Sequence, residues 1–291
     1  MQTSLLRTEP AAPAPLVSIV TSTLDAAEVL PHTIRSLAAQ EGARFEWIVV
    51  DGGSSDGTVE LLRRHEKLIG RWLSEPDAGI CDAWNKALAM ARGEWLVFLG
   101  AGDEFAAPDT LARISSQLAR AHPPHDLVYG NLIYVSPLGR QDLEEVGGPW
   151  NELRDRWEIG RPALPPHPAL FHHRSLFAGG RCFDTRFRIA GDADFLLRHA
   201  LRKPPLYVPL AVVRTPVDGL SMNLRHAAQL AREIGIINRE LGLAPPLAHR
   251  VAERLLLAAK IVAGRMPAPL GRRIADLYRR ASGRPARWSV R

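Results

Sequence analysis

The chain has 291 residues, 46% of them apolar and 23% charged, which is enough to bury a core and too few charges for a disordered polymer. Its formal net charge is +6, but residues 265–291 hold eight arginines and one acid, Asp276, a net +7 that leaves residues 1–264 at −1. A near-neutral body argues against a nucleic-acid partner and confines any attraction to an anionic membrane surface to the basic C-terminal stretch. The two cysteines, Cys81 and Cys182, lack CxxC spacing and indicate neither a disulfide framework nor a zinc site, as expected in a reducing cytoplasm. No apolar run approaches the roughly 20 residues that cross a bilayer, and the first fifteen residues are too rich in Pro for a signal peptide. The expectation is a cytoplasmic protein, soluble or peripheral on a membrane.

Residues 1–15, containing "TEPAAPAP", read as a flexible leader. The β-branched run "VSIVTST" that follows reads as a first buried strand. "AAEVLPHTIRSLAAQ" places Val29, Ile34, Leu37 and Ala38 near helical spacing, and "FEWIVVDGGSSDGT" reads as a second strand ending in a Gly/Ser/Asp turn. A helix at "VELLRRHEKLI", a short strand at "RWLSEPD" and a helix at "ICDAWNKALAMA" come next, then a strand at "GEWLVFLGAGDEF" and a helix at "DTLARISSQLARA". This alternation predicts an α/β fold, a mainly parallel sheet flanked by helices, with ligands bound beyond the carboxyl ends of the strands. From "DLVYGNLIYV" to "HPALFHHRSLF" the alternation weakens and the sheet is expected to turn mixed. From residue 224 three helical segments follow, "HAAQLAREIGIINREL", "LAHRVAERLLLAAKIVAG" and "LGRRIADLYRR". The expected division is therefore a leader (1–15), a catalytic domain (16–223) and a basic helical appendage (224–291).

No GxxxxGK[ST], GxGxxG or GxSxG is present, which disfavours a P-loop ATPase and an α/β serine hydrolase. What remains is polar residues at strand ends: Ser22, Asp51, Asp77 and Asp103. Asp51 suits a hydrogen bond from a nucleobase N–H, and Asp103 suits a divalent cation carried on a diphosphate, since Mg²⁺ or Mn²⁺ takes only one or two protein carboxylates when phosphates and waters complete its shell. Either acid equally suits an Asx-turn. In "RIAGDADFLLRHA", Asp192 and Asp194 stand where a helix N-cap would, and Asp192 also suits a general base. In "HPALFHH" the adjacent His172 and His173 point oppositely on a strand, so with His167 they cannot easily share one ion; His167 is left as a candidate substrate contact.

In this order the motifs resemble the family 2 glycosyltransferases, inverting enzymes of the GT-A fold. "IVVDGGSSDGT" looks like their nucleotide-binding second strand, and "SEPDAGICDAWNKALAMARGEWLVFLGAGDEF" like the stretch that leads to their metal-binding turn. "HPALFHHRSLF", "FDTRFRIAGDADFLLRHA" and "LYRRASGRPARW" resemble the branch that builds bacterial exopolysaccharides, including colanic-acid-type transferases. By position the resemblance implies that Asp51 contacts the base, with Thr21 and Ser22 beside the nucleoside. Asp77 and Asp82 would line the nucleotide side, Gly102 would let the backbone approach the diphosphate, Asp103 would hold the Mn²⁺ or Mg²⁺, and Asp192 would be the catalytic base, with His167 and Asp194 near the substrate. The implied co-substrates are a nucleotide sugar and a saccharide acceptor, lipid-linked at a membrane surface. Two departures stand out: Leu24-Asp25 replaces a Tyr-Asn pair after the first strand, and Gly102-Asp103 replaces a two-acid metal turn. A catalytically silent relative that binds a nucleotide sugar or a partner protein is the alternative.

Overall fold

The computed structural model describes residues 14–136, 140–180, 182–217, 223–281 and 286. Most of the leader and the last arginines of the tail lie outside the described residues. Strands β1 (Val17–Thr23), β2 (Phe45–Asp51), β3 (Arg71–Ser74) and β4 (Trp95–Phe98) alternate with helices α1 (Leu30–Ala38), α2 (Thr58–Arg64) and α3 (Ile80–Met90). After β5 (Glu104–Phe105) and α4 (Thr110–Ala121) come β6 (Leu127–Val135), β7 (Asp142–Val146), α5 (Trp150–Leu153), the small hairpin β8 (Trp157–Glu158) and β9 (Arg161–Pro162), and β10 (Leu170–His173). The chain continues through α6 (Gly191–Ala200), β11 (Leu206–Pro216), α7 (Ala227–Leu241), α8 (Leu247–Arg265) and α9 (Ala268–Ala281). The main sheet runs β3-β2-β1-β4-β10-β6-β11-β5, with β7 on the side of β6. β1 to β4 pair in parallel, β10 is antiparallel to both its neighbours, and β6 and β11 are again parallel, so the sheet is mixed as expected.

Strand periodicity divides the core into two layers. Ile19, Trp47, Val49, Trp95 and Val97 face the side covered by α1, α2 and α4, where Leu30, Ile34 and Leu37 meet Leu62, Leu111 and Ile114. Their even-numbered neighbours Val20, Ile48, Val50, Leu96 and Phe98 face α3 and α6, through Cys81, Trp84, Phe195 and Leu196. Both faces are apolar because helices cover both, which is why these strands read as continuous hydrophobic runs.

One expectation needs correction. The run "GEWLVFLGAGDEF" does not stay one strand: β4 ends at Phe98, residues 99–103 turn, and β5 pairs with β11 at the far edge. β11 itself, at 11 residues the longest strand, escapes a sequence reading because Pro209 sits inside it; the sheet accommodates that proline in a register shift between Tyr207 and Ala211. The helical region from residue 224 meets the sheet domain through its first helix. Leu230, Ile234 and Ile237 of α7 pack on Phe187, Ile189, Ala193 and Leu197, so α7 completes the core around α6.

Candidate active site

The loops after β1 and β2 are laced together. Asp25 sits at φ 47°, its N–H donates to Ser54 Oγ (2.8 Å) and its Oδ1 accepts from Ser55 N (2.9 Å). Asp56 accepts from Ala27 N, Thr58 N and the Thr58 hydroxyl. At the hub is Asp51, 0% exposed, whose two oxygens accept from Thr23 Oγ1, Gly53 N, Ser54 N, Ser54 Oγ and Ser74 Oγ. Burial pushes its carboxyl up, but these hydrogen bonds outweigh burial and hold it below the usual carboxylate range. Five donors exceed the roughly four lone-pair sites of a carboxylate, so of the two readings of Asp51 the geometry is that of the turn-former. Thr21 is likewise buried, accepting from Trp47 Nε1 (3.0 Å), while Ser22 is partly exposed on the opposite side of the strand.

Asp77 lies in the loop that precedes α3, and Asp82 in the first turn of that helix. Asp77 Oδ1 accepts from Gly79 N (2.8 Å), and its other oxygen lies so near Gly52 that a Cβ there would come within 2.8 Å of it. Asp82 Oδ2 accepts from Ala78 N (3.1 Å) and pairs with Lys86, and the hydrogen bond to Ala78 leads in holding its carboxyl below the ordinary value. Leu24, 64% exposed, borders the same ground: its Cδ1 would lie 3.5 Å from that Cβ.

The turn after β4 centres on Asp103, 5% exposed. Its Oδ2 accepts from Gly100 N (2.8 Å), its Oδ1 accepts from the Thr215 hydroxyl of β11, and Thr33 of α1 donates to its carbonyl (2.9 Å). The glycines serve the turn itself: a Cβ at Gly100 would stand 2.9 Å from Asp103 Oδ2, and Gly102 holds φ 93°. Arg140 donates to the Gly102 carbonyl (2.7 Å) and pairs with Glu104 (2.8 Å), which takes the neighbouring acid out of the turn. A single carboxylate suits Mg²⁺ or Mn²⁺ that draws its remaining ligands from a diphosphate and water, and does not suit a cation held by the protein alone.

On the opposite layer the N-terminal turns of α3 and α6 meet, so closely that a Cβ at Gly191 would lie 2.2 Å from Cys81 Sγ. Neither acid of α6 is its N-cap, a place taken by Ala190. Asp194 is buried and ion-paired with Arg198 (2.8 Å). Asp192 is partly exposed and, among the described residues, bonds only to Ala193 N (2.7 Å) and has no ion pair. Its charge acts on His167, which stacks on Phe98 at the end of β4 with its Nε2 buried and without a hydrogen-bond partner. Burial lowers the His167 pKa, and Asp192 offsets this only in part, so the ring is neutral. Burial first, then the carboxylates of Asp192, Asp184, Glu233 and Asp194, push the Cys81 thiol up to about 12.

His172 and His173 do point to opposite faces of β10: His172 lies against Phe98 and Phe195, His173 against Trp95. His173 stacks on His122 beside Asp126, the one metal-compatible cluster among the described residues. Asp126 there is paired with Lys203 (2.6 Å), and His173 pairs with Trp95 at the start of β4, which puts this cluster at the end of the strands opposite Asp103. A cavity of about 380 Å³ between α6 and α7 is lined by Asp184, Arg186, Asp194, Arg198 and Glu240 and bridged by ion pairs among them. Sequence reasoning missed Thr215, Arg140 and Glu233. The last is buried in α7 and accepts from the backbone N–H groups of Arg188, Ile189 and Ala190 directly ahead of Asp192.

Residues 18–176 match the family model described as Glycosyl transferase family 2. Over 188 residues the chain is 37% identical to a PGL/p-HBAD biosynthesis glycosyltransferase of Mycobacterium bovis (strain BCG / Pasteur 1173P2), covering 64% of this chain and 70% of that one. Among solved structures it resembles S. aureus TarS 1-349 in complex with UDP-GlcNAc (TM-score 0.56, 17% identity, 91% of this chain and 81% of that one). It also resembles the mannosyltransferase PcManGT from Pyrobaculum calidifontis in complex with GDP-Man and Mn²⁺ (TM-score 0.54, 23% identity, 94% and 81%). The chain spans 49% of a longer TarS chain. At these identities the structures speak for the fold, which is GT-A, while the family match covers more than half of the chain. The protein is a glycosyltransferase and belongs to glycosyl transferase family 2.

Proposed function

We propose that the protein transfers a sugar, with inversion, from a nucleoside diphosphate sugar to a hydroxyl of a saccharide acceptor in the assembly of a bacterial surface polysaccharide or glycolipid. The observation that carries this reading is Asp192, a partly exposed carboxylate without an ion pair among the described residues, whose charge acts on the buried ring of His167 near the end of β4. Asp192 accepts the proton of the acceptor hydroxyl while that oxygen attacks the anomeric carbon. The bond to the diphosphate breaks on the opposite side, and its electron pair leaves with the phosphate oxygen. Neutral His167 is the candidate contact for the acceptor sugar, a contact that needs its buried ring nitrogen to be uncovered when the sugar binds. The nucleoside rests over Leu24, Gly52 and Asp77, on the loops that Asp51 organises. Asp103 would hold a divalent cation together with the diphosphate, and that cation would neutralise charge on the leaving group. The acceptor is a lipid-linked saccharide on the cytoplasmic side of a membrane.

The test is thermal unfolding with UDP, GDP and dTDP, each with and without Mn²⁺. Ligand at about 100 times its dissociation constant adds roughly 2.7 kcal/mol, a shift of several degrees. One nucleotide is expected to raise the midpoint in a Mn²⁺-dependent way that Asp103→Ala abolishes. Asp192→Asn should keep the shift and lose turnover. Wild-type protein that binds nucleotide yet neither transfers nor hydrolyses the donor would instead be a silent relative. An Asp192→Asn variant with wild-type turnover would remove Asp192 from its role.

A further inference from the structure

We propose that α8 and α9 form an anionic-lipid-binding surface that lays the protein on a membrane without crossing it. The inference depends on no step of the transferase mechanism. Of the ten large apolar side chains exposed among the described residues, seven lie on these two helices. Leu247, Val251, Leu255 and Val262 fall at intervals of four, four and seven along α8, so they share one face, and Leu255 is 70% exposed. Leu270, Ile274 and Leu277 form a matching stripe on α9.

These stripes are additional to the packed sides of the helices. α8 is seated inward through Ala263, and it approaches so closely that a Cβ on Gly264 would lie 2.8 Å from the Leu224 carbonyl. α9 is tied to β7 through the ion pair of buried Arg279 with Glu144 (2.5 Å). A helix seated on a protein core ordinarily turns polar residues outward; here the outward face is apolar as well. No helix among the described residues is long and apolar enough to span a bilayer, which leaves an in-plane position with the stripe at the acyl boundary.

Charge selects the occupant. Arg250 and Arg254 border the α8 stripe, and Arg273 and Arg280 border that of α9, all of them exposed. The only acids on the two helices are Glu253, partly buried, and Asp276, buried. A second copy meeting this surface face to face would oppose arginine with arginine, whereas an anionic bilayer complements both the stripe and its rim.

The test is co-sedimentation of the full chain with vesicles of equal parts phosphatidylglycerol and phosphatidylcholine, or of phosphatidylcholine alone. The protein is expected to pellet with the anionic vesicles and to be released as added salt screens the rim. Leu255→Glu with Leu277→Glu should weaken partitioning by about tenfold or more per site, since each leucine loses its apolar burial. Arg273→Glu with Arg280→Glu leaves the stripe intact and should abolish the preference for anionic lipid, which keeps the test decisive if the leucine variant fails to fold. Wild-type protein that stays in the supernatant with both vesicles would overturn the proposal, and so would pelleting that neither variant changes. A dimer in light scattering that Leu255→Glu disperses, with no vesicle binding, would assign the surface to a second copy instead.

Discussion

Glu233 holds the segment that delivers Asp192, and its removal has a consequence that can be sized. The carboxylate accepts from Arg188 N (3.2 Å), Ile189 N (3.0 Å), Ala190 N (2.8 Å) and Gln229 Nε2 (3.0 Å). Glu233→Ala strands these donors, of which Ile189 N and Ala190 N are buried. A buried donor left without its partner costs about 1–3 kcal/mol, so two give a loss of roughly 2–6 kcal/mol, reduced where water enters the vacated space. Glu233→Gln keeps one acceptor oxygen and should lose about 1–2 kcal/mol. Urea unfolding followed by tryptophan fluorescence gives the difference from the midpoints at constant slope. Because residues 188–190 lead directly into Gly191 and Asp192, turnover should fall further than nucleotide affinity if the proposed roles of Asp192 and of the β1 to β4 loops hold. Stability of Glu233→Ala within about 0.5 kcal/mol of wild type, the range of an ordinary surface change, would refute the claim that α7 holds the turn that carries Asp192.

Gly191→Ala should destabilise by about 1–3 kcal/mol through overpacking, since the new Cβ would stand 2.2 Å from Cys81 Sγ; in a double-mutant cycle Cys81→Ala should recover much of that loss, and additive effects would show that the contact is not the cause. Burial keeps the pKa of His167 lowered and that of His172 well below the ordinary value, so both are neutral in the folded protein while the unfolded chain protonates near pH ~6.5. Their contribution is therefore complete above that pH and is lost as pH falls towards the folded values, at up to about 1.4 kcal/mol per pH unit for each ring. Asp51 and Glu46, whose folded pKa values are lowered despite burial, add their loss only below pH ~4. Unfolding midpoints measured across this range should decline in two stages, and His172→Phe should flatten the first; a midpoint that holds constant down to pH ~4 would refute the assignment.

The alternation of β-branched runs with amphipathic segments was enough to imply a parallel α/β sheet, because each strand buried on both faces must be apolar at every position, and a strand end followed by Gly, Ser and Asp can only be a turn. The same local logic placed Asp51, Asp77, Asp103 and Asp192 on loops or helix starts. It could not assign their partners. Asp51 is filled by Ser74 from β3, Asp103 is joined by Thr215 from β11, and the loop before Asp192 hangs on Glu233 from α7. Each partner lies more than twenty residues away in the chain, so local periodicity carries no information about it. The strand that brings Thr215 was itself hidden by Pro209, which only a register shift in the assembled sheet accommodates. The apolar positions of α8 and α9 were plain in the sequence, yet which of them meet the core and which meet solvent is a property of packing. The sequence thus determined where chemistry can sit, and the tertiary structure decided which side chains are consumed in building the site and which remain to act, because hydrogen-bond satisfaction and burial are settled only when distant segments meet.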